Sequence, residues 1–149
     1  MEIKLKLFEK CKAYVEERLK TVQQAIDSAK EAGGEETKSS AGDKHETGRA
    51  MMQLEQEKNS KQLSEALVLK AQLERINPSL TSTKVVEGSL VITDKGNFFI
   101  SIGAGKIEID NNIYYAISRL SPIASKLIGL EKNNTLIFNG INYLIKEVL

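Results

Sequence analysis

The residues best suited to chemistry in this chain are two carboxylates three positions apart, Asp43 and Glu46, in the segment Gly42-Asp43-Lys44-His45-Glu46. On one turn of a helix, positions three apart face the same direction. Two carboxylates so placed provide part of a coordination sphere for Mg²⁺ and leave positions for water or a phosphate. Two ligands are too few for tight binding, so a partner must supply the rest. The pattern predicts a metal site that is complete only in a complex.

The same two residues also fit a structural role. Aspartate at a helix N-cap with glutamate three residues later resembles a capping box, and acids near a helix start suit its dipole. The roles are compatible, because a cap also orients a carboxylate. His45, the only histidine, is interpreted as a solvated loop residue. The positive charge of Lys44 weakens metal affinity or redirects it toward phosphate.

No other segment carries a recognisable catalytic arrangement. The sequence has no Gly-x-x-x-x-Gly-Lys-Ser/Thr phosphate loop and no Gly-x-Ser-x-Gly nucleophile elbow. The run Gly103-Ala104-Gly105 is too short for a dinucleotide fingerprint. The single cysteine, Cys11, excludes an intramolecular disulfide framework and falls on an apolar helix face, where a buried structural thiol is expected. The chain is therefore not expected to be an enzyme by itself.

Overall composition argues against several classes of protein. The 149 residues carry 21 Lys+Arg against 20 Asp+Glu, a net charge of +1, which disfavours binding to nucleic acid through bulk charge. No run approaches the roughly 18 apolar residues of a membrane span. The N-terminus also lacks the continuous apolar segment of a secretory signal. We therefore expect a cytosolic protein with no membrane partner.

A long first helix is expected to position the acids. Residues 3–31 contain no proline or glycine and are rich in helix formers, and the helix is expected to end at Gly33-Gly34. Its apolar residues recur at spacings of four, seven, four and three, which predicts one buried seam. The seam consists of Cys11, Val15, Val22, Ile26 and Ala29, with Leu19 close to the same stripe.

A second helix is expected from about residue 43 to residue 76. A short connection forces the two helices antiparallel, which predicts a coiled-coil hairpin over residues 1–77 with its tip at about residues 32–46. Residues 31–46 carry a net charge of −3. The alternative is half of a helical bundle that a second chain completes. The apolar residues of the second helix lie late, at Leu63, Leu67, Leu73 and Ile76.

The remaining chain has the pattern of a small sheet domain. A polar linker at residues 78–83 precedes a module at residues 84–149, where alternating segments predict a small antiparallel sheet. A short helix at residues 122–128 is expected to begin after an N-cap at Ser121 and to end at Gly129. The strand segments are 89–93, 97–102, 106–110, 113–118, 135–138 and 141–145, with turns at Asp94-Lys95-Gly96, Asn111-Asn112 and Asn139-Gly140.

Residues 121–131, with the sequence SPIASKLIGLE, resemble the signature near the C-terminus of the GreA/GreB transcript-cleavage factors. That signature begins Ser-Pro-Ile/Leu-Ala/Gly, ends Leu-Ile/Leu-Gly, and precedes two final strands. The resemblance implies the Gre architecture, an α+β fold. In that fold, an N-terminal antiparallel coiled-coil helical hairpin is followed by a small FKBP-like antiparallel sheet domain with one short helix.

The resemblance also implies a function on bacterial RNA polymerase. Gre factors insert their coiled coil through the secondary channel and dock their globular domain at its rim. Acidic tip residues help to hold a catalytic Mg²⁺, so that the polymerase cleaves the 3′ end of backtracked RNA. Gly42, Asp43 and Glu46 match the family's tip motif, which makes Asp43 and Glu46 the residues that would share Mg²⁺ with the polymerase. The partner-binding residues implied are Ser121, Pro122, Ile123 and Ala124.

Two other functions stay open. The segment Thr47-Gly48-Arg49-Ala50 stands where the family has Asn-Ala-Glu-Tyr, so a secondary-channel regulator or inhibitor of RNA polymerase without cleavage stimulation remains an alternative. A coiled-coil module that binds unrelated proteins is the second. The sequence does not determine the oligomeric state, and a monomer is the simpler expectation.

Overall fold

The computed structural model describes the backbone of residues 2–37 and 42–149 and the side chains of residues 2–31 and 47–149. Two long helices come first, α1 (Glu2–Thr37) and α2 (Gly42–Glu74). α1 continues through Gly33 and Gly34, so the predicted helix end at these glycines was wrong. A helix interior tolerates glycine at a cost of about 1 kcal/mol relative to alanine.

α1 and α2 pack against each other in antiparallel orientation. Within the compact unit Val15–Lys70, Arg18 early in α1 pairs with Glu65 late in α2, with Nη2 and Oε2 3.9 Å apart. Val15 and Val22 are buried, as their place in the predicted seam required. The predicted antiparallel helical hairpin is confirmed.

Buried positions along α2 recur every seven residues, at Asn59, Ala66 and Leu73. A seven-residue repeat is the hallmark of coiled-coil packing, and one buried asparagine in such a repeat fixes its register. Leu67, one of the apolar residues late in this helix, is 48% exposed, whereas the neighbouring Ala66 is fully buried.

The second compact unit comprises Met1–Tyr14 and Ala71–Leu149. It contains the start of α1, the end of α2 and a six-stranded sheet with the strand order β3-β4-β2-β1-β6-β5. The strands are β1 (Leu90–Thr93), β2 (Gly96–Ser101), β3 (Gly105–Ile109), β4 (Asn112–Ser118), β5 (Thr135–Phe138) and β6 (Ile141–Val148).

The sheet is mixed, whereas the sequence predicted an antiparallel one. β2 and β4 run parallel, in a register that aligns Phe99 with Ala116, and the other strand pairs are antiparallel. β3 folds back onto β4 as a hairpin at the edge of the sheet, and β4 thereby runs in the same direction as β2. Alternating hydrophobicity defines strands but not their neighbours, so this parallel pair had no signal in the pattern.

Two hairpin turns have positive φ at both central residues, as type I′ turns require. Asn139 and Gly140, with φ of 50° and 75°, connect β5 and β6 as predicted. The β3–β4 turn uses Asp110 and Asn111, with φ of 51° and 67°. It therefore begins one residue earlier than the predicted Asn111-Asn112.

A short helix, α3 (Pro122–Leu127), packs onto one face of the sheet. Ala124 and Leu127 are fully buried there, and Gly129, with φ of 90°, follows the helix end as predicted. Left-handed backbone at this position favours glycine. The buried cluster around α3 comprises Val85, Val91, Phe98, Ile100, Ala124, Leu127, Leu136, Tyr143 and Ile145.

Candidate functional site

The predicted metal-binding pair lies at the start of α2. Asp43 and Glu46 follow the first residue of that helix, Gly42. Their side chains, and those of Lys44 and His45, lie outside the described residues. The shared Mg²⁺ site therefore remains a prediction. Its donor set suits the ion, because Mg²⁺ prefers carboxylate oxygens and completes its shell with water and phosphate.

The predicted partner-binding segment forms the N-terminus of α3. Ser121 is the N-cap, with extended backbone at φ −67° and ψ 153°, and its hydroxyl accepts a hydrogen bond from the Ala124 N–H at 3.4 Å. Pro122 occupies the first helical turn, where its missing N–H has no intrahelical partner to lose. Ser125 Oγ donates to the Pro122 carbonyl at 2.7 Å. These contacts hold a short helix in a defined conformation.

Burial divides the predicted partner-binding residues into two groups. Pro122 is exposed, and Ser121 and Ile123 are partly exposed. Ala124 is fully buried in the core, where its side chain anchors α3. The partner-binding role of the four residues stays a prediction. Leu120, one residue before the N-cap, is 70% exposed. The exposed surface of this segment is therefore centred on Leu120 and Pro122.

An ion cluster joins this segment to the end of α2. The Glu87 carboxylate accepts hydrogen bonds from Arg75, Nε at 3.3 Å and Nη2 at 3.1 Å, and Arg119 Nε lies 3.2 Å from it. Both arginine side chains are 49% exposed, whereas Glu87 is 21% exposed. Paired guanidinium donors fix geometry as well as charge. The cluster leaves two half-exposed cations against one carboxylate, and Arg119 directly precedes Leu120 in the chain.

Sequence reasoning missed this cluster. The three residues lie directly after α2, in the loop before β1 and in the turn after β4, so no local spacing connects them. Arg119 and Leu120 directly precede the Ser-Pro signature. Their place just before a helix N-cap indicates that both side chains are exposed.

Replacement of Ser121 by alanine is expected to lower the free energy of unfolding by about 1 kcal/mol, because the Ala124 N–H loses its capping acceptor. Urea denaturation followed by circular dichroism measures the effect. Ser64→Ala is the control, since Ser64 is an exposed serine within α2. A loss of stability in Ser64→Ala equal to that in Ser121→Ala would show that the cap has no specific stabilising effect.

Cys11 is a buried thiol, as the seam predicted. It is fully buried, and its Sγ lies 3.7 Å from Ser101 Oγ on β2. Burial raises the pKa of the Cys11 thiol, which keeps it protonated near neutral pH. A protonated, inaccessible thiol is a poor nucleophile, so Cys11 has a structural role.

Lys4 is a buried cation that the sequence analysis did not single out. Its side chain is 2% exposed, and its Nζ donates to the Leu80 carbonyl at 2.6 Å. No carboxylate of the described residues forms an ion pair with it. Desolvation by burial lowers the pKa of the Lys4 ammonium from its ordinary value of 10.5. Lys4 lies seven residues before Cys11, so the periodicity of the seam indicates that position 4 is on the buried face of α1.

Replacement of Lys4 by methionine is expected to raise the free energy of unfolding by about 1 kcal/mol at pH 7, because a buried charge is exchanged for apolar volume. Below pH 10.5 the unfolded chain binds this proton more tightly than the folded chain. The free energy of unfolding of the wild type therefore rises with pH between the lowered pKa of Lys4 and 10.5. Urea denaturation at about pH 7, 8.5 and 10 should show that the difference in free energy of unfolding between Lys4→Met and wild type becomes smaller as pH rises. A constant difference would contradict an unpaired, desolvated ammonium.

Comparisons with protein-family models, with curated proteins and with solved structures find no match to this chain. Over their described residues, neither long helix contains the continuous apolar stretch that a bilayer span requires. Among the described side chains, no three histidine, cysteine, aspartate or glutamate residues converge on a common point.

Proposed function

We propose that this chain is a Gre-type transcription elongation factor that binds bacterial RNA polymerase through its secondary channel and stimulates cleavage of backtracked RNA. The order of the elements carries the proposal. An antiparallel helical hairpin comes first, a sheet follows, and α3 begins at Ser121-Pro122 directly before the last two strands. This is the order that the resemblance to Gre factors implies.

In the proposed mechanism, the start of α2 carries the functional acids. Asp43 and Glu46 would hold part of the coordination sphere of a Mg²⁺ ion, and the polymerase would supply the remaining ligands. An ion held there would supply activation of water for attack on a phosphodiester. The two carboxylates would add negative oxygen ligands to those of the polymerase. The chain itself is then not an enzyme, and RNA cleavage belongs to the polymerase.

The globular unit would provide the second attachment to the polymerase. The exposed part of the α3 segment, Leu120 to Pro122, directly follows Arg119 in the chain. The guanidinium groups of Arg119 and Arg75 are half-exposed and meet at the Glu87 carboxylate. An apolar centre with cations at its border suits a partner surface that has an apolar contact bordered by acids. In the proposed contact, Ser121 and Pro122 would lie at the channel rim, and the buried side chain of Ala124 would anchor α3 to the sheet.

A regulator of the secondary channel without cleavage activity is the second candidate. The observation that favours it is Lys44, which follows Asp43 directly in the sequence. A cation next to a carboxylate competes with a metal ion for that ligand and reduces metal affinity. A coiled-coil module that binds proteins unrelated to polymerase is the third, and it differs from both in lacking polymerase affinity.

Direct binding to purified bacterial RNA polymerase tests the proposal. Fluorescence anisotropy of the full chain, labelled at an introduced exposed cysteine in the Cys11→Ala background, is expected to show saturable binding at or below micromolar concentration. An unlabelled Gre factor should displace it, because both occupy the secondary channel. Binding that a Gre factor does not displace, or no binding at all, would exclude both polymerase-directed candidates.

A further inference from the structure

The two edge strands of the sheet, β5 and β3, differ in how much of their outer backbone is covered. On the edge strand β5, Lys126 Nζ donates to the Ile137 carbonyl at 3.2 Å and covers part of the backbone. At the opposite edge, β4 is the only strand paired with β3 within residues 2–37 and 42–149. An edge strand with free backbone groups is a template for another strand.

The hairpin geometry identifies the free groups on β3. Ile109 and Asn112 flank the two-residue turn, so they form a pair that exchanges both backbone hydrogen bonds. Pairing alternates along the ladder, and Ile107 therefore also bonds to β4. Lys106 and Glu108 are left with their N–H and C=O groups directed away from β4. The outer side of β3 thus offers two donors and two acceptors.

The side chains on this edge are self-complementary. Lys106 and Glu108 are both exposed and lie symmetrically about Ile107. If a second β3 pairs antiparallel with the first about a twofold axis at Ile107, each Lys106 lies opposite a Glu108 of the other copy. The same register places the four free backbone groups of each strand opposite their counterparts. One arrangement therefore satisfies both the hydrogen bonds and the charges.

The surroundings of the strand also suit such pairing. Ile113 and Tyr115 on β4 are each 40% exposed and are the cross-strand neighbours of Glu108 and Lys106. Pairing of two copies would extend this face of the sheet. Each new ion pair would then be flanked, on β4, by Ile113 or Tyr115. An open groove between α1 and β3 is lined by Lys10, Lys106, Ile107 and Glu108.

We propose that the free edge of β3 is a self-association surface, on which a second copy of this chain pairs its own β3 antiparallel, centred on Ile107. A lysine on an edge strand ordinarily opposes strand addition. Here Glu108 of the second copy neutralises it. An interface of five residues per strand is at the small end of specific contacts, so the dissociation constant is expected on the order of 10–100 µM.

Charge exchange tests the proposal in the full chain. Sedimentation velocity from about 5 to 500 µM, a range that brackets the expected constant, should show a monomer–dimer equilibrium for the wild type. Lys106→Glu and Glu108→Lys each convert both ion pairs into like-charge pairs, and each should weaken dimerisation about tenfold or more. An equimolar mixture of the two variants should restore association, because the two glutamates of one variant then face the two lysines of the other.

Two controls make the outcome decisive. Lys132→Glu, on an exposed loop, changes net charge by the same amount as Lys106→Glu and should leave the wild-type equilibrium unchanged. Urea denaturation should give similar stability for all variants. A wild type that stays monomeric throughout, single variants that dimerise as the wild type does, or a mixture that does not recover association would each overturn the proposal.

Discussion

Truncation of Leu127 to alanine is expected to lower the free energy of unfolding of this chain by about 2–5 kcal/mol. Leu127, the last residue of α3, is fully buried in the cluster that includes Phe98 and Ile145. The substitution removes apolar contacts and leaves a cavity that the sheet cannot fill. Native proteins are stable by only about 5–15 kcal/mol, so this one change removes a large share of the margin. Urea denaturation followed by circular dichroism measures it.

Leu120→Ala is the matched control for this experiment. It deletes the same atoms only seven residues away, but Leu120 is 70% exposed. A surface substitution of this kind is expected to change the free energy of unfolding by no more than about 0.5 kcal/mol. Equal losses for the two variants would contradict the placement of α3 against the sheet.

Replacement of the two acids at the start of α2, by Asp43→Asn and Glu46→Gln together, is expected to abolish most cleavage stimulation. Metal-mediated stabilisation of the transition state is worth several kcal/mol, which corresponds to a fall in cleavage rate of about 100-fold or more. The amides keep the size of the side chains but are poor ligands for Mg²⁺. The rate of RNA shortening in a backtracked elongation complex measures the effect.

The double variant must be compared at equal occupancy of the polymerase. Glu55→Gln combined with Glu57→Gln, at exposed positions of α2, removes the same charge and should leave the cleavage rate unchanged. Retained binding with lost cleavage identifies the acids as metal ligands. If the double variant cleaves as fast as wild type, the metal role of Asp43 and Glu46 is wrong, whatever the binding result.

Much of the fold was predictable because local patterns determine local structure. Alternating apolar residues and the Asn139-Gly140 turn located β5 and β6, and Ser121-Pro122 located the start of α3. The parallel pairing of β2 with β4 was not predictable, because the neighbour of a strand depends on how hairpins pack and not on its own pattern.

The helical hairpin shows where composition misleads. Gly33 and Gly34 suggested a helix end, yet the backbone remains helical to Thr37, because a propensity cost of about 1 kcal/mol per glycine does not dictate the conformation. On α2, the more apolar Leu67 is 48% exposed, whereas the neighbouring Ala66 is fully buried. Position on the covered face of the helix, and not hydrophobicity alone, determines which residue is buried.

The candidate site was predictable only in part. The Ser-Pro signature identified α3, but the contacts of Glu87 with Arg75 and Arg119 join residues far apart in the chain. Such clusters depend on tertiary structure and have no sequence spacing. Lys4 is the opposite case, since it shares the seam's seven-residue spacing with Cys11. It was overlooked because lysine is rarely buried.

RNA shortening in a stalled, backtracked elongation complex of bacterial RNA polymerase is the most direct test of the proposed function. Addition of the wild-type chain with Mg²⁺ is expected to release short 3′ fragments and to leave RNA that the polymerase can extend again. Binding with inhibition and no shortening would instead identify a regulator of the secondary channel. Unchanged RNA together with no detectable binding at micromolar concentration would contradict a role on RNA polymerase.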